Sequence, residues 1–113
     1  SGDNIVQVRV PGAIEISLAA KECFEAGCDG VVALGLVVRG DTTHYEFVCN
    51  SVERSCSQLM LDYSRPIGMG VLTTENGEQA HARAGGEKGH KGVEAAEVVL
   101  EMLQVSKKIR QTK

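Results

Sequence analysis

Gly40, Asp41, Thr42, Thr43 and His44 follow one another directly after Arg39, and they are the residues in this chain best suited to chemistry. Glycine lets an anion come close to the backbone, and short carboxylate and hydroxyl side chains favour the start of a helix. The first turn of a helix carries unpaired N–H groups and the positive end of its dipole, so such a turn can hold a phosphate. His44 stands beside it, and an unperturbed imidazole, with a pKa of about 6.5, suits proton transfer at neutral pH. Asp41 and the threonines serve equally as plain caps, Thr43 and Glu46 making a capping box, and spacing does not separate the two readings. Arg83 and Lys91 flank a glycine-rich stretch, residues 85–92, and offer two cations to the same kind of ligand. An arginine near a helix end is also simple dipole chemistry, and the stretch lacks the GKS or GKT of a Walker A loop. His81 and His90 lack a comparable setting and read as exposed.

The elements that must position these groups follow from periodicity. Residues 31–38, VVALGLVV, form a continuous apolar run that suits a parallel strand covered on both faces. After the 40–44 turn, Tyr45, Val48, Cys49, Val52, Cys56, Leu59 and Met60 recur at helical spacing, which predicts a helix from about 43 to 63. Upstream, IVQVRV at residues 5–10 alternates like a strand and stops at Pro11-Gly12. Residues 14–26 carry Ile16, Ala19, Ala20, Cys23 and Phe24 on one helical face, with Ser17 as a capping residue and Gly27 as the C-cap. Downstream, residues 67–72 with Thr73 and Thr74 read as a third strand, 75–84 as a short helix and 85–92 as a loop. Residues 93–109 then form an amphipathic helix that buries Val93, Ala96, Val99, Leu100, Leu103 and Ile109. This alternation predicts one α/β domain over residues 1–113 with a parallel sheet of three strands. Three strands leave a buried-type edge open, so another segment or another subunit is expected to complete it. In such sheets ligands bind beyond the carboxyl ends of the strands, so the 11–16, 39–44 and 73–76 loops compete or cooperate for that role.

The 113 residues carry a formal charge of -3, which argues against a dedicated nucleic-acid binder. No apolar run approaches the ~20 residues that span a bilayer, so a soluble cytosolic protein with no membrane association is expected. The four cysteines, Cys23, Cys28, Cys49 and Cys56, make no CxxC pair and no zinc spacing with histidine. They read as reduced packing residues, and no metal site is expected.

Several blocks together resemble the lumazine synthase family: VPGAIEISLAAK (10–21), LGLVVRGDTTHYEFVCN (34–50), GVLTTENGEQAHARAGGEKGHKG (70–92) and EAAEVVLEM (94–102). The resemblance implies a three-layer α/β/α, flavodoxin-like subunit assembled into pentamers or sixty-subunit icosahedral capsids. It implies a riboflavin-biosynthesis transferase that joins 5-amino-6-(D-ribitylamino)uracil to 3,4-dihydroxy-2-butanone 4-phosphate, giving 6,7-dimethyl-8-ribityllumazine, phosphate and water. No metal or organic cofactor is implied. Association with riboflavin synthase is, together with a cytoplasmic setting, or a plastid one in a plant.

By matching position, Gly40, Asp41 and Thr42 would hold the butanone phosphate and His44 would move protons. Arg83 of the adjacent subunit would clamp that phosphate, with Lys91 near it. Ala13, Ile14 and Glu15 would meet the ribityl chain, and Val37 and Val38 the pyrimidine ring. Met69 stands where the family has a phenylalanine that reaches the neighbour's site. Ile14 replaces the usual Phe or Trp, Ser17 the usual Pro, and Glu87 a common lysine. The changes at Ile14 and Met69 remove aromatic surface that would stack on the ring. The family's first strand and helix have no counterpart here, so a longer native protein supplying a further strand is expected. A weakly active or non-catalytic homologue, shell-forming or ligand-binding, is the alternative that these departures suggest.

Overall fold

The computed structural model of the chain describes residues 4–38, 44–74 and 91–112. A 3-10 turn, Ala13–Glu15, leads directly into helix α1, Ile16–Glu25. Strand β1, Val31–Val38, is followed by helix α2, His44–Tyr63, strand β2, Ile67–Thr74, and helix α3, Lys91–Gln111. The strands pair in parallel, from Val31 opposite Ile67 to Val38 opposite Thr74. Helices α1 and α2 pack together against one face of the sheet, while α3 packs chiefly on β2. The architecture is α/β, with helices on both faces of a parallel sheet.

The core forms because helical and strand periodicities point at the same place. Ile16, Ala20 and Phe24 recur every fourth residue on α1, as do Val48, Val52 and Cys56 on α2, and all six are buried against Ala33 and Ile67. Burying a large apolar side chain of this kind stabilises by about 1.5–3 kcal/mol. Phe24 is the hub, its ring 5.3 Å from that of Tyr63 and 5.9 Å from the Arg65 guanidinium.

Helix α1 stops as its sequence requires. Gly27 adopts φ 103, a left-handed conformation that favours glycine. Its N–H donates to the Phe24 carbonyl at 3.0 Å, and that of Cys28 to the Cys23 carbonyl at 3.0 Å, the two bonds of a Schellman cap. Arg65, at the entrance to β2, donates from one nitrogen to the carbonyls of Phe24 at 2.7 Å and Cys28 at 3.0 Å. This guanidinium thus binds the negative end of α1 to the start of β2. On the other face, a Cβ at Gly68 would collide with the Ala95 carbonyl, so α3 rides directly on the β2 backbone.

Four expectations are corrected. Residues 5–10 do not join the sheet, which has two strands among the described residues. Alternation alone does not make a strand, and Ile5, at 72 % exposure, Val6 and Val8 find no surface to cover them. Ser17 does not cap α1, because the 3-10 turn runs into the helix and moves its first free N–H groups upstream; Ser17 is the second helical residue. Strand β1 is not fully covered on both faces: Leu34 is 61 % exposed, because α3 is centred on β2 and only partly overlies β1. On α3 the inner line is Ala95 and Val99, with Ala96 and Leu103 partly buried, whereas Val93, Leu100 and Ile109 lie exposed. The close approach at Gly68 selects the small Ala95 and turns the larger residues outward. The short helix expected over 75–84 and the loop over 85–90 lie outside the described residues.

Candidate active site

The chain direction places the start of every helix at one edge of the sheet. α1 is joined to the start of β1 by residues 26–30, so its own beginning lies toward the end of β1. α2 begins six residues after Val38, which ends β1, and its far end leads to the start of β2. α3 runs against the strands, since Ala95 packs on Gly70 and Gly68 while Val99 packs on Gly68 and Gly30, nearer the strand beginnings. Three positive helix ends and two strand carboxyl ends therefore gather at one edge, the arrangement in which open α/β sheets bind anionic ligands.

Most of the described residues expected from the sequence fall at this edge. Val37 and Val38 are the last residues of β1, paired with Thr73 and Thr74. His44 opens α2 and Lys91 opens α3. Ala13, Ile14 and Glu15 form the 3-10 turn, which packs against β1 and α2. Ala13 is partly buried against the core, Ile14 is exposed, and Glu15 donates its N–H to the Gly12 carbonyl at 3.2 Å. Chemically, this edge can seat an anion over helix N–H groups beside an imidazole-bearing position and an apolar strand end.

Met69 stands apart. It pairs with Ala33 near the beginning of β2 and packs against the core, five residues before Thr74, or about 17 Å along the strand. In its own chain it belongs to the core rather than to the carboxyl edge. Gly40, Asp41, Thr42 and Arg83, like His81 and His90, lie outside the described residues. Thr73 and Thr74 reach the edge opposite Val37 and Val38 through a register that one-dimensional pattern could not reveal.

The other edge is built differently. A cavity of ≈ 400 Å³ lies there, lined by Asp29, Tyr63, Ser64, Arg65, Lys107 and Arg110 among others. Arg65 is engaged on the carbonyls at the end of α1, and Arg110 donates to the Ser64 carbonyl at 3.4 Å. Two of its cations therefore serve backbone carbonyls at chain reversals. The four cysteines are free thiols. Burial raises the pKa of Cys56, and burial followed by the charge of Glu53 raises that of Cys49. Both thus stay protonated at neutral pH and act as small apolar groups. Among the described residues no helix is long and apolar enough to cross a membrane, and no cluster of three or more histidine, cysteine, aspartate or glutamate residues is placed to hold a metal ion.

The family model described as 6,7-dimethyl-8-ribityllumazine synthase matches residues 1–107. A protein of that name from Bdellovibrio bacteriovorus is 64% identical over 100 residues, covering 88% of this chain and 56% of its own length. Counterparts of the same name from Desulfovibrio desulfuricans and Nitratidesulfovibrio vulgaris (strain DP4) are 44% and 45% identical over 108 residues, covering 95% of this chain and 69% of theirs. The chain thus spans little more than half the length of the first relative and about two thirds of the others.

Proposed function

The chain belongs to the 6,7-dimethyl-8-ribityllumazine synthase family, and we propose that it serves riboflavin biosynthesis by condensing 5-amino-6-(D-ribitylamino)uracil with 3,4-dihydroxy-2-butanone 4-phosphate. The observation that carries this reading is the family match over residues 1–107, which contains every residue given a role. The gathering of helix N-termini at the carboxyl edge supports the placement of a phosphorylated substrate there.

In this reading Gly40, Asp41 and Thr42 hold the phosphate at the start of α2, and Arg83 of a neighbouring copy with Lys91 neutralises it. Val37 and Val38 flank the pyrimidine ring, and the Ala13–Glu15 turn meets the ribityl chain. Met69 of a neighbouring copy adds apolar surface. His44 carries the protons. When the substrate amine adds to the ketone, the carbonyl oxygen must leave as water, which needs a proton delivered to it. Expulsion of phosphate then requires a proton taken from the adjoining carbon while negative charge builds on the leaving oxygens. An imidazole near its pKa can perform both transfers, and cations with helix dipoles stabilise the departing anion. Holding amine and ketone together supplies the remaining advantage.

Homo-oligomeric assembly belongs to the same proposal, as a pentamer or a sixty-subunit capsid, since two copies contribute to one site. Exposed Val98, Met102, Val105 and Ile109, spaced four, three and four along α3, give an apolar stripe that suits such packing. A cytoplasmic setting and association with riboflavin synthase complete the proposal. The test is to mix both substrates with the protein and follow lumazine and phosphate together. Equal amounts of both products support the reading, and absence of either in an assembled sample excludes it.

A further inference from the structure

Two of the four thiols are held side by side by the backbone itself. Cys23 and Cys28 occupy the positions in the Schellman cap of α1 whose side chains the motif brings into contact, on either side of Gly27 with its φ of 103. The 3.0 Å bond from the Cys28 N–H to the Cys23 carbonyl, with ordinary covalent geometry, limits their Cα atoms to about 7 Å at most. Disulfides span Cα separations of roughly 4.4–6.8 Å. Both side chains are partly exposed rather than sealed in the core. The thiols also sense each other: burial first, then the charge that Cys28 would carry and a hydrogen bond between the two side chains, raise the pKa of Cys23.

The other thiols have no such geometry. Cys49 and Cys56 lie seven residues apart on α2, a rise of about 10 Å, which excludes a bond between them. Cys56 is also almost wholly buried. Around Cys23 and Cys28 the backbone is already fixed, since Arg65 holds the Phe24 and Cys28 carbonyls. Closing the pair requires no unwinding of α1.

We propose that Cys23 and Cys28 form a reversible two-thiol modification site, closed to an intrachain disulfide by exchange with a small-molecule disulfide. One thiolate attacks a sulfur of the oxidant and expels one thiolate from it. The second protein thiol, losing its proton, attacks the resulting mixed disulfide and expels the other. The protein loses two protons and two electrons, and the oxidant becomes two thiols. The product is a covalent staple across the end of α1, at the edge of the sheet opposite the proposed active site, and a reducing dithiol reopens it.

The experiment treats the full native chain with oxidised glutathione, alkylates the remaining thiols and maps tryptic peptides by mass. Residues 22–39 form one peptide containing both Cys23 and Cys28, while Cys49 and Cys56 fall in different peptides. Expected is a 22–39 peptide lacking two hydrogens and refractory to alkylation, with Cys49 and Cys56 still alkylated. Dithiothreitol should restore the alkylated form. In Cys23→Ser and Cys28→Ser the closed peptide should vanish and a glutathione adduct on the remaining cysteine should persist. A wild-type 22–39 peptide that stays doubly alkylated, or that keeps glutathione without closing, overturns the proposal.

Discussion

At the carboxyl edge of the sheet the chain presents helix beginnings, and at the amino edge it presents the ends of α1 and α2 fastened by specific side chains. The carboxyl edge has positive dipole ends, two strand ends and the backbone positions of His44 and Lys91. The amino edge has the Gly27 cap, the Arg65 bridge, the Phe24–Tyr63 stack and the Tyr63 hydroxyl donating to Glu25 at 3.0 Å. Negative helix ends need donors and cations, and these groups supply them at the amino edge; positive helix ends can be left for a ligand. The polarity of the helices thus accounts for the stability built into one edge and leaves the other free for the chemistry proposed there. Substitutions at the amino edge should move stability without touching the reaction.

The largest separation is expected from Phe24→Ala. Removing a fully buried ring that contacts Tyr63 and Arg65 should cost about 3–5 kcal/mol. Denaturant unfolding should record that loss, with catalysis intact in whatever fraction stays folded. Arg65→Ala should follow with about 1.5–3 kcal/mol, because two carbonyls lose a charged donor. Arg65→Lys should restore little, since a single ammonium does not reproduce the guanidinium's planar geometry. A Lys variant as stable as wild type would show that charge alone holds this edge.

The smallest effect is a dependence on pH at Tyr63. Its pKa is raised above 10.0, first by burial and then by the hydrogen bond to Glu25 and its charge. A folded pKa above the unfolded one contributes stability that is complete below the unfolded value and disappears as pH rises through the folded value. Thermal melts should therefore show an alkaline loss above about pH 10 that is smaller in Tyr63→Phe than in wild type. Identical alkaline profiles would remove this bond from the account of the amino edge.

How far the sequence discloses this arrangement depends on the range of the contacts involved. Local periodicity was enough for the buried faces of α1 and α2, for β1 and β2, and for the Gly27 cap, because each is decided within a few residues. It failed where a distant partner decides. Residues 5–10 alternate correctly, but a strand needs a neighbour's edge, and the inner line of α3 is set by Gly68 on another element. Arg65 carried no local sign of its two carbonyl partners about forty residues away. At the candidate site, the positions of His44, Val37 and Val38 were legible from strand and helix boundaries, whereas the Ala13–Glu15 turn was hidden under the helix expected from residue 14. The register that sets Thr74 opposite Val38, and the core packing of Met69, were not.

The division between the two edges is tested most directly by measuring lumazine formation and unfolding temperature together in wild type, His44→Ala and Arg65→Ala. With catalysis assigned to the carboxyl edge, His44→Ala should slow the reaction about 10²–10⁴-fold at an unchanged unfolding temperature. Arg65→Ala, assayed below its own transition, should melt earlier and turn over at nearly the wild-type rate. An unaffected rate in His44→Ala, with turnover lost in folded Arg65→Ala, would contradict the assignment.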